Sequence, residues 1–228
     1  PEAPLPYLET VIHRDAHLLI VDKPPFVPVV PAGRHLRETL LVRLRERFDL
    51  PELVPLHRLD RLTAGLVAFS VEPATRAAYA ELFPLRAVEK IYEAIAPVLP
   101  AGTLPAVRHS RLGPGEPFFR MRETAGPPNA ETYIEELERR GGLARYRLRP
   151  VTGRKHQLRV HLAALGAPIL NDPLYPELLP ETGDDPARPL ALLARELHFR
   201  DPLSGEARGF TSRRTLAFPD ATPASGQP

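Results

Sequence analysis

The sequence predicts an α+β fold in which a mixed or antiparallel β-sheet forms the core and a few helices flank it. Two observations lead to this prediction. Short apolar runs recur along the chain and stop at Pro, Gly or Asp, as strands bounded by turns do. A smaller number of segments repeat their apolar residues at helical spacing instead. Proline accounts for 29 of the 228 residues and punctuates the apolar runs, which is typical of loops between strands.

The clearest predicted strands are apolar runs next to turn residues. Residues 18–21 are continuously apolar and stop at the segment Asp22-Lys23-Pro24-Pro25, which indicates a buried strand that ends at a turn. Residues 131–137 and 143–148 are expected to pair around the turn at Gly141-Gly142. Further strands are predicted at 65–71, 90–98, 190–199 and 208–210.

Three segments have helical character. Residues 36–48 place Leu40, Leu41, Leu44 and Phe48 on one face. Residues 73–85 begin with Pro73, which suits a first helical turn. Residues 152–166 are expected to form a helix with Thr152 as its N-cap and Gly166 as its C-terminal stop. Residues 100–130 are rich in Pro and Gly and are predicted to be irregular.

The chain is expected to form a single domain over residues 11–218, with a Pro-rich lead-in at 1–10 and a disordered tail at 219–228. The absence of cysteine from the sequence excludes disulfides and thiolate metal sites. No apolar run is long enough to span a membrane, and the N-terminus has no signal-peptide pattern. A cytoplasmic location is therefore the expectation.

The charge of the chain is unevenly distributed. The net charge is only +2, yet residues 101–160 carry 12 Lys or Arg against 6 Asp or Glu. Residues 161–228 carry 6 and 9, respectively, so the balance reverses there. Arg outnumbers Lys 27 to 3, and although biased codon usage explains such a ratio, the clustering favours a polyanionic partner.

The segment His57-Arg58-Leu59-Asp60-Arg61-Leu62 places polar side chains between two apolar runs. A carboxylate flanked by Arg58 and Arg61 is favoured in its ionised form, and a loop that leads into a strand often carries a catalytic group. Three leucines nearby could form a dry wall around it: Leu56, Leu59 and Leu62. The alternative is an ordinary surface loop with an Asp–Arg pair.

Lys90 and Tyr92 lie two residues apart at the start of a predicted strand, so both side chains should face one side of the sheet. A tyrosine beside a basic group can stack on a nucleobase or move a proton. The alternative is a tyrosine that only packs against a neighbouring strand.

The segment 152–161 combines a predicted helix N-terminus with Arg154, Lys155 and Arg159, which favours phosphate binding. Lys155 and Arg159 should share one helix face. A metal site built from His57, Asp60, His156 and His161 is disfavoured, because the two last histidines are five residues apart rather than four. The sequence also has no GxxxxGK[ST], GxGxxG or GxSxG pattern.

These segments together resemble the RluA-type RNA pseudouridine synthases. HRLDRLTAGLVAF is similar to the family pattern HRLDxxTSGLLLLA, and PVTGRKHQLRVHLAALGAPILND is similar to its C-terminal arginine motif. LLIVDKPPFVPVVPAG and KIYEAI resemble the first strand and the short tyrosine motif of the family. The likeness runs from about residue 11 to 215 in the family's order, and the fold that it implies is pseudouridine synthase-like.

The resemblance implies a role for several residues. Asp60 matches the catalytic aspartate, Tyr92 the tyrosine that stacks on the target base, and Arg159 the arginine that pairs with the aspartate. Arg58 matches an arginine that displaces the target nucleotide, and His57, Arg154 and Lys155 are further RNA-binding candidates. Ala64 departs from a serine that is frequent in the family, but both residues are small.

The implied activity is isomerisation of specific uridines in rRNA or tRNA stem-loops to pseudouridine, with base flipping and without cofactor or metal. A monomer is expected, and the few residues before the first strand leave no room for the additional RNA-binding module of many relatives. Two alternatives remain: a non-catalytic RNA-binding protein with the same fold, which should have lost one of the three catalytic residues, and a metal-dependent nucleic-acid hydrolase.

Overall fold

The computed structural model describes residues 2, 4–33, 35–180 and 182–219. These contain eleven strands and three helices. The strands are β1 Thr10–Arg14, β2 Leu18–Lys23, β3 Val54–Pro55, β4 Ala64–Ser70, β5 Glu89–Pro97, β6 Val107–Pro114, β7 Met121–Thr124, β8 Ala130–Arg140, β9 Leu143–Pro150, β10 Leu192–Arg200 and β11 Ala207–Thr211. The helices are α1 Leu40–Phe48, α2 Arg76–Glu81 and α3 Gln157–Ala164. The tail expected at 219–228 lies outside the described residues except for Pro219, as do residues 1 and 3 of the lead-in.

All described strands belong to one sheet, whose main path has the order β1-β2-β4-β10-β5-β9-β8-β6-β7. β3 pairs with β4 and β11 with β10 beside this path. The pairing of β10 with β4 is parallel, and the other pairings among the described residues are antiparallel. The prediction of an α+β fold around a mixed sheet is therefore confirmed.

The strands β2 and β4 are buried along their whole length because both faces of the sheet are covered there. Leu19 and Val21 point to the side on which Leu40 and Leu44 of α1 pack. Ile20 points to the opposite side, where it packs with other apolar residues in a separate cluster. A strand covered on both faces needs no polar alternation, which explains the continuous apolar run in the sequence.

Several predicted boundaries need correction. The helix expected at 36–48 begins at Leu40, because the hydroxyl of Thr39 accepts a hydrogen bond from the Val42 amide (3.4 Å) and caps it. The helix expected at 73–85 is reduced to α2. Residues 100–130 are not irregular throughout but contain β6 and β7, whose half-exposed and polar residues give no strong strand pattern. β1 and β3 were not predicted either.

The helix expected at 152–166 begins only at Gln157, so Thr152 is not its N-cap. The Thr152 hydroxyl instead donates to Gln157 Oε1 (2.7 Å), which also accepts from the Arg154 amide (3.1 Å). Gln157 Nε2 donates to Glu131 O (2.9 Å) on β8. These bonds hold 152–156 as a compact loop in front of α3, and His156 has left-handed backbone angles that a continuing helix does not allow.

His161 anchors α3 to the sheet. Its side chain is fully buried, and its ring nitrogens hydrogen-bond the hydroxyls of Ser110 and Thr132, each at 3.0 Å. Burial lowers the pKa of His161 from its usual 6.5 to about 4. His156 and His161 thus have separate environments, as the spacing of five residues predicts.

We expect His161 to make the fold sensitive to acid. Between pH 6.5 and 4 the unfolded chain takes up a proton on His161, whereas the folded chain does not. The contribution of His161 to the free energy of unfolding is therefore complete above pH 6.5 and is lost as the pH falls towards 4. The shift corresponds to about 3 kcal/mol in the free energy of unfolding. Urea unfolding at pH 7 and pH 4.5 should show a smaller pH dependence for His161→Gln than for the unchanged chain. His109→Gln, at an exposed position of β6, is the control; an equal pH dependence in all three proteins would contradict the prediction.

Candidate active site

One open cavity of about 500 Å³ brings together all seven residues that the sequence singles out as site candidates. It lies where the loop between β3 and β4, the first half of β5 and the segment before α3 meet. The candidates that line it are His57, Arg58, Asp60, Tyr92, Arg154, Lys155 and Arg159. Segments far apart in the sequence thus form a single site.

Asp60 lies at a tight turn directly before β4. Its carbonyl accepts a hydrogen bond from the Thr63 amide (3.1 Å), and its side chain is 34% exposed to the cavity. Gly65 follows with φ +112°, and a β-carbon there would stand 2.3 Å from the Ala194 carbonyl oxygen of β10. Only glycine allows this approach, which brings the loop of Asp60 against the centre of the sheet.

The fully buried Lys23 supports the loop from below. Its ammonium donates to the carbonyls of Pro24 (2.9 Å), Val27 (2.8 Å) and Arg61 (3.1 Å). Burial lowers the pKa of Lys23 well below its usual range, although the negative charge of Asp60 acts in the opposite direction. The three bonds tie the end of β2 to the loop. Asp22 and Lys23 pair with Leu66 and Gly65 of β4, so they belong to the strand rather than to the predicted turn.

Arg159 enters the site from α3 and has two carboxylate neighbours. Its Nε and Nη2 donate to the two oxygens of Asp172 at 2.8 and 2.6 Å, and both side chains are buried. Its Nη1 lies 3.6 Å from Oδ2 of Asp60, at ion-pair distance but beyond a hydrogen bond. Burial alone would lower the pKa of Arg159, but the hydrogen bond and charge of Asp172, with the charge of Asp60, raise it.

Asp172 therefore fixes the direction in which Arg159 faces Asp60. Its Oδ1 also accepts from the amides of Leu174 (2.8 Å) and Tyr175 (3.3 Å), so the carboxylate itself cannot rotate freely. A planar guanidinium held at two nitrogens presents its third nitrogen in one direction only. Asp172 was not predicted from the sequence as a site residue.

His156 is the second group beside Asp60, with Nε2 3.8 Å from Oδ2. Burial lowers the pKa of His156 to about 4, and the charge of Asp60 only partly opposes this, so the ring is neutral at pH 7. Its Nδ1 lies 2.8 Å from the hydroxyl of Tyr175, which accepts from the Met121 amide (2.7 Å). If that hydroxyl donates to Nδ1, the ring proton lies on Nε2 and faces Asp60.

Tyr92 and Lys90 both line the cavity, which confirms that they face the same side of β5. Burial, together with the charge of Asp60, raises the pKa of Tyr92 above its usual value. Its hydroxyl is therefore protonated at neutral pH. Such a side chain can stack on a base and donate a hydrogen bond, but it is a weak base.

The remaining candidates differ in how firmly they are held. Arg58 is exposed at the cavity, and the exposed Arg154 donates from Nε to the Asn129 carbonyl (3.2 Å). His57 stacks on Phe83 with a centroid distance of 5.0 Å, and its Nε2 accepts from the Ala68 amide (3.1 Å). Burial lowers the pKa of His57 to about 3, so this ring is a neutral anchor of the loop.

Three local predictions are wrong. Arg61 does not flank the Asp60 carboxylate but pairs with Asp184 at 2.7 Å. Of the three leucines expected around Asp60, only Leu59 lines the cavity, whereas Leu56 and Leu62 do not line it and pack against core clusters. Lys155 and Arg159 do not share a helix face, since Lys155 precedes α3 and is exposed whereas Arg159 is buried.

Within the described ranges, no three His, Cys, Asp or Glu side chains are close enough together to hold a metal ion. Among the same residues, no helix has the length and apolar character needed to cross a membrane.

Comparison with known proteins finds one matching family and several proteins with similar sequences. The family profile described as RNA pseudouridylate synthase matches residues 17–164. The human protein named pseudouridylate synthase RPUSD2 is 37% identical over 166 residues, which are 69% of this chain and 29% of the human protein. The chain thus spans less than a third of that relative's length. The Haemophilus influenzae protein named dual-specificity RNA pseudouridine synthase RluA is 34% identical over 91% of this chain and 94% of its own length.

A solved structure, human RNA pseudouridylate synthase domain containing 1, has a similar fold with a TM-score of 0.71. It is 26% identical in sequence, and the match covers 94% of this chain and 86% of the human one.

Proposed function

The chain belongs to the RNA pseudouridylate synthase family, and we propose on this basis that it is an isomerase that converts specific uridines in RNA to pseudouridine. The observation that carries the proposal is the position of Asp60. Its carboxylate is partly exposed in a cavity that Tyr92 and Arg159 also line, and it lies 3.6 Å from the Arg159 guanidinium. This arrangement suits a reaction in which positive charge develops on a sugar beside a flat base.

The reaction breaks the bond between ribose C1′ and uracil N1 and forms a bond between C1′ and C5. C5 loses a proton and N1 gains one, so the exchange needs no oxidant, reductant or group donor. The charge that develops on the ribose would lie against the Asp60 carboxylate, as in glycoside cleavage. Arg159 would keep a positive charge in a fixed position beside that carboxylate, because Asp172 holds the guanidinium at its other two nitrogens.

The detached base must remain in the cavity and away from water until it rejoins the sugar. Tyr92 lines the cavity and would stack on the base, and Leu59, Leu158 and Leu192 contribute apolar side chains to the wall. A stacked or paired uridine must first be turned out of its helix, which costs a few kcal/mol. The exposed Arg58 at the rim is our candidate for filling the space that the uridine leaves.

We further propose that the target is an rRNA or tRNA stem-loop, that the protein acts as a monomer and that it works in the cytoplasm. The resemblance to a relative named for dual RNA specificity supports the first part. The high proportion of Arg between residues 101 and 160 supports an RNA partner in general.

Incubation with transcripts that carry radiolabelled uridine tests the proposal. We expect the label to appear as pseudouridine after digestion, without any change in RNA mass. RNA binding without conversion would indicate a non-catalytic RNA-binding protein. Shortened RNA would indicate a hydrolase, and either result would contradict the proposal.

Turnover is expected to continue in EDTA, because the proposed chemistry uses a carboxylate and no Lewis acid. The measurement is pseudouridine formation after dialysis against EDTA, on RNA refolded in monovalent salt. A control with RNA folded in magnesium before the chelator is added separates effects on the RNA from effects on the protein. Loss of turnover with both RNAs, restored by zinc or magnesium, would contradict this expectation.

A further inference from the structure

A second cavity, of about 710 Å³, lies beside the active site and is called here the flanking basin. Its walls come from the starts of β5, β8 and β11 and the ends of β9 and β10. Four residues line both cavities, namely Arg86, Lys90, Pro150 and Val151, so the two spaces adjoin at these residues. An extended molecule with one part in the active site can therefore continue into the basin.

The lining of the flanking basin is cationic. Five Arg or Lys residues line it, Arg86, Lys90, Arg149, Arg200 and Arg208, against two carboxylates, Glu89 and Glu131. Arg149 pairs with Glu89 (3.2 Å), and Arg208 pairs with Asp15 outside the basin. Arg86 and Lys90 have no carboxylate partner within the part of the chain that is described. Arg200, elsewhere in the basin, likewise pairs with no described carboxylate and donates only to the Gly205 carbonyl (2.8 Å). Three of the five cations thus lack an acidic partner among the described residues, and two of these three lie on the boundary with the active site.

Lys90 is a partly buried cation at this boundary. Its Nζ lies close to Gly153, 3.8 Å from the point where a β-carbon would stand. Burial lowers the pKa of Lys90, because no nearby anion compensates for the loss of water. A phosphate bound beside Nζ of Lys90 would provide the negative charge that this ammonium lacks as a partner.

Tyr133 adds an aromatic surface to the basin. Its side chain is 37% exposed and lies opposite Arg149 on the neighbouring strand. The Arg149 guanidinium lies over the ring, 4.5 Å from its centroid. Proteins that bind single-stranded nucleic acid combine a positively charged groove with aromatic rings on which bases stack.

We propose that the flanking basin binds the single-stranded RNA next to the target uridine, with Lys90 and Arg86 contacting phosphates and Tyr133 stacking on a base. The proposal rests on the RNA-directed function proposed above and adds the path that the strand follows away from Asp60. An acidic protein partner would use the same charges but would have no need of the aromatic ring.

Binding of fluorescein-labelled oligouridylate of 12 nucleotides, followed by anisotropy at several salt concentrations, tests the proposal. We expect Tyr133→Ala to raise the Kd on the order of 10-fold and Tyr133→Phe to leave it nearly unchanged, since stacking needs only the ring. Arg86→Glu combined with Arg200→Glu should weaken binding by about 10-fold or more and flatten its salt dependence. Arg140→Glu combined with Arg188→Glu, an equal double charge reversal at exposed positions outside both cavities, is the matched control and should bind normally.

A crosslinking experiment locates the RNA directly. Oligouridylate that contains 4-thiouridine should crosslink to the tryptic peptide of residues 123–139, which includes Tyr133. Unchanged affinity of the Tyr133→Ala and double-Arg variants would overturn the proposal, as would a wild-type protein that does not bind the probe. The proposal would also be overturned if polyglutamate bound as tightly as the oligouridylate and if Tyr133→Ala weakened the binding of both by the same factor. Because these readouts do not need turnover, an absence of pseudouridine formation would contradict the proposed function and not the basin.

Discussion

An Asp60→Asn variant is expected to lose pseudouridine formation by at least about 10⁴-fold, because removal of a group that acts directly on the reacting atoms usually has an effect of this size. Asparagine has the shape of aspartate but cannot stabilise the charge on the ribose. The fold should be unaffected. Asp60 is partly exposed, its side chain makes no hydrogen bond to the described residues, and Arg159 keeps Asp172 as its main partner.

Single-turnover assays and thermal unfolding of the same preparations check this expectation. Asp49→Asn is the matched control, since Asp49 ends α1 with left-handed backbone angles that asparagine adopts readily. The control should keep wild-type turnover, and both variants should keep the wild-type melting temperature and affinity for RNA. Substantial turnover by Asp60→Asn would show that another group carries the reaction.

Arg159→Lys is expected to reduce turnover by about 10²-fold, the usual effect of a misplaced catalytic group, although the substitution preserves the charge. A lysine cannot bind both oxygens of Asp172 and also point a third donor at Asp60, so the carboxylate of Asp60 loses its fixed partner. The free energy of unfolding should also fall by about 1–3 kcal/mol, because one buried hydrogen bond of Asp172 is lost. RNA affinity should change little, since Arg159 is buried.

Arg154→Lys is the comparison, because Arg154 lines the same cavity but is exposed. Its turnover should stay near wild type. Turnover and salt-dependent binding of both variants should be measured at a temperature where unfolding curves show both to be folded. Normal turnover of Arg159→Lys with weaker and less salt-sensitive binding would make Arg159 a contact to the RNA backbone instead.

The sequence predicted best those residues and strands that are marked by a short, local sequence pattern. Asp60, Tyr92 and Arg159 were assigned by short motifs, and the structure brings all three to one cavity. Their roles in turnover stay predictions until the variants are measured. The strands β2 and β4 could be predicted because burial on both faces leaves an uninterrupted apolar run.

The features that were missed depend on contacts between distant segments. Asp172 lies in an irregular segment, and its importance becomes visible only when Arg159 folds back against it. The start of α3 was misplaced because Gln157, rather than Thr152, organises the preceding loop through a bond to β8. Arg61 was assigned to Asp60 because the two are neighbours in sequence, whereas its partner Asp184 is more than a hundred residues away.

The position of β10 also determines when the active site can form during folding. β1 to β4 make one part of the sheet and β5 to β9 the other, and β10 is the strand that joins them through β4 and β5. Asp60 belongs to the first part, whereas Tyr92 and Arg159 belong to the second. The segment matched by the family profile ends at residue 164, before β10 begins. During synthesis both parts therefore expose an unpaired central edge until residues 192–200 emerge from the ribosome. A ribosome-bound chain that stops before these residues should hold the two halves of the site without joining them into a functional centre.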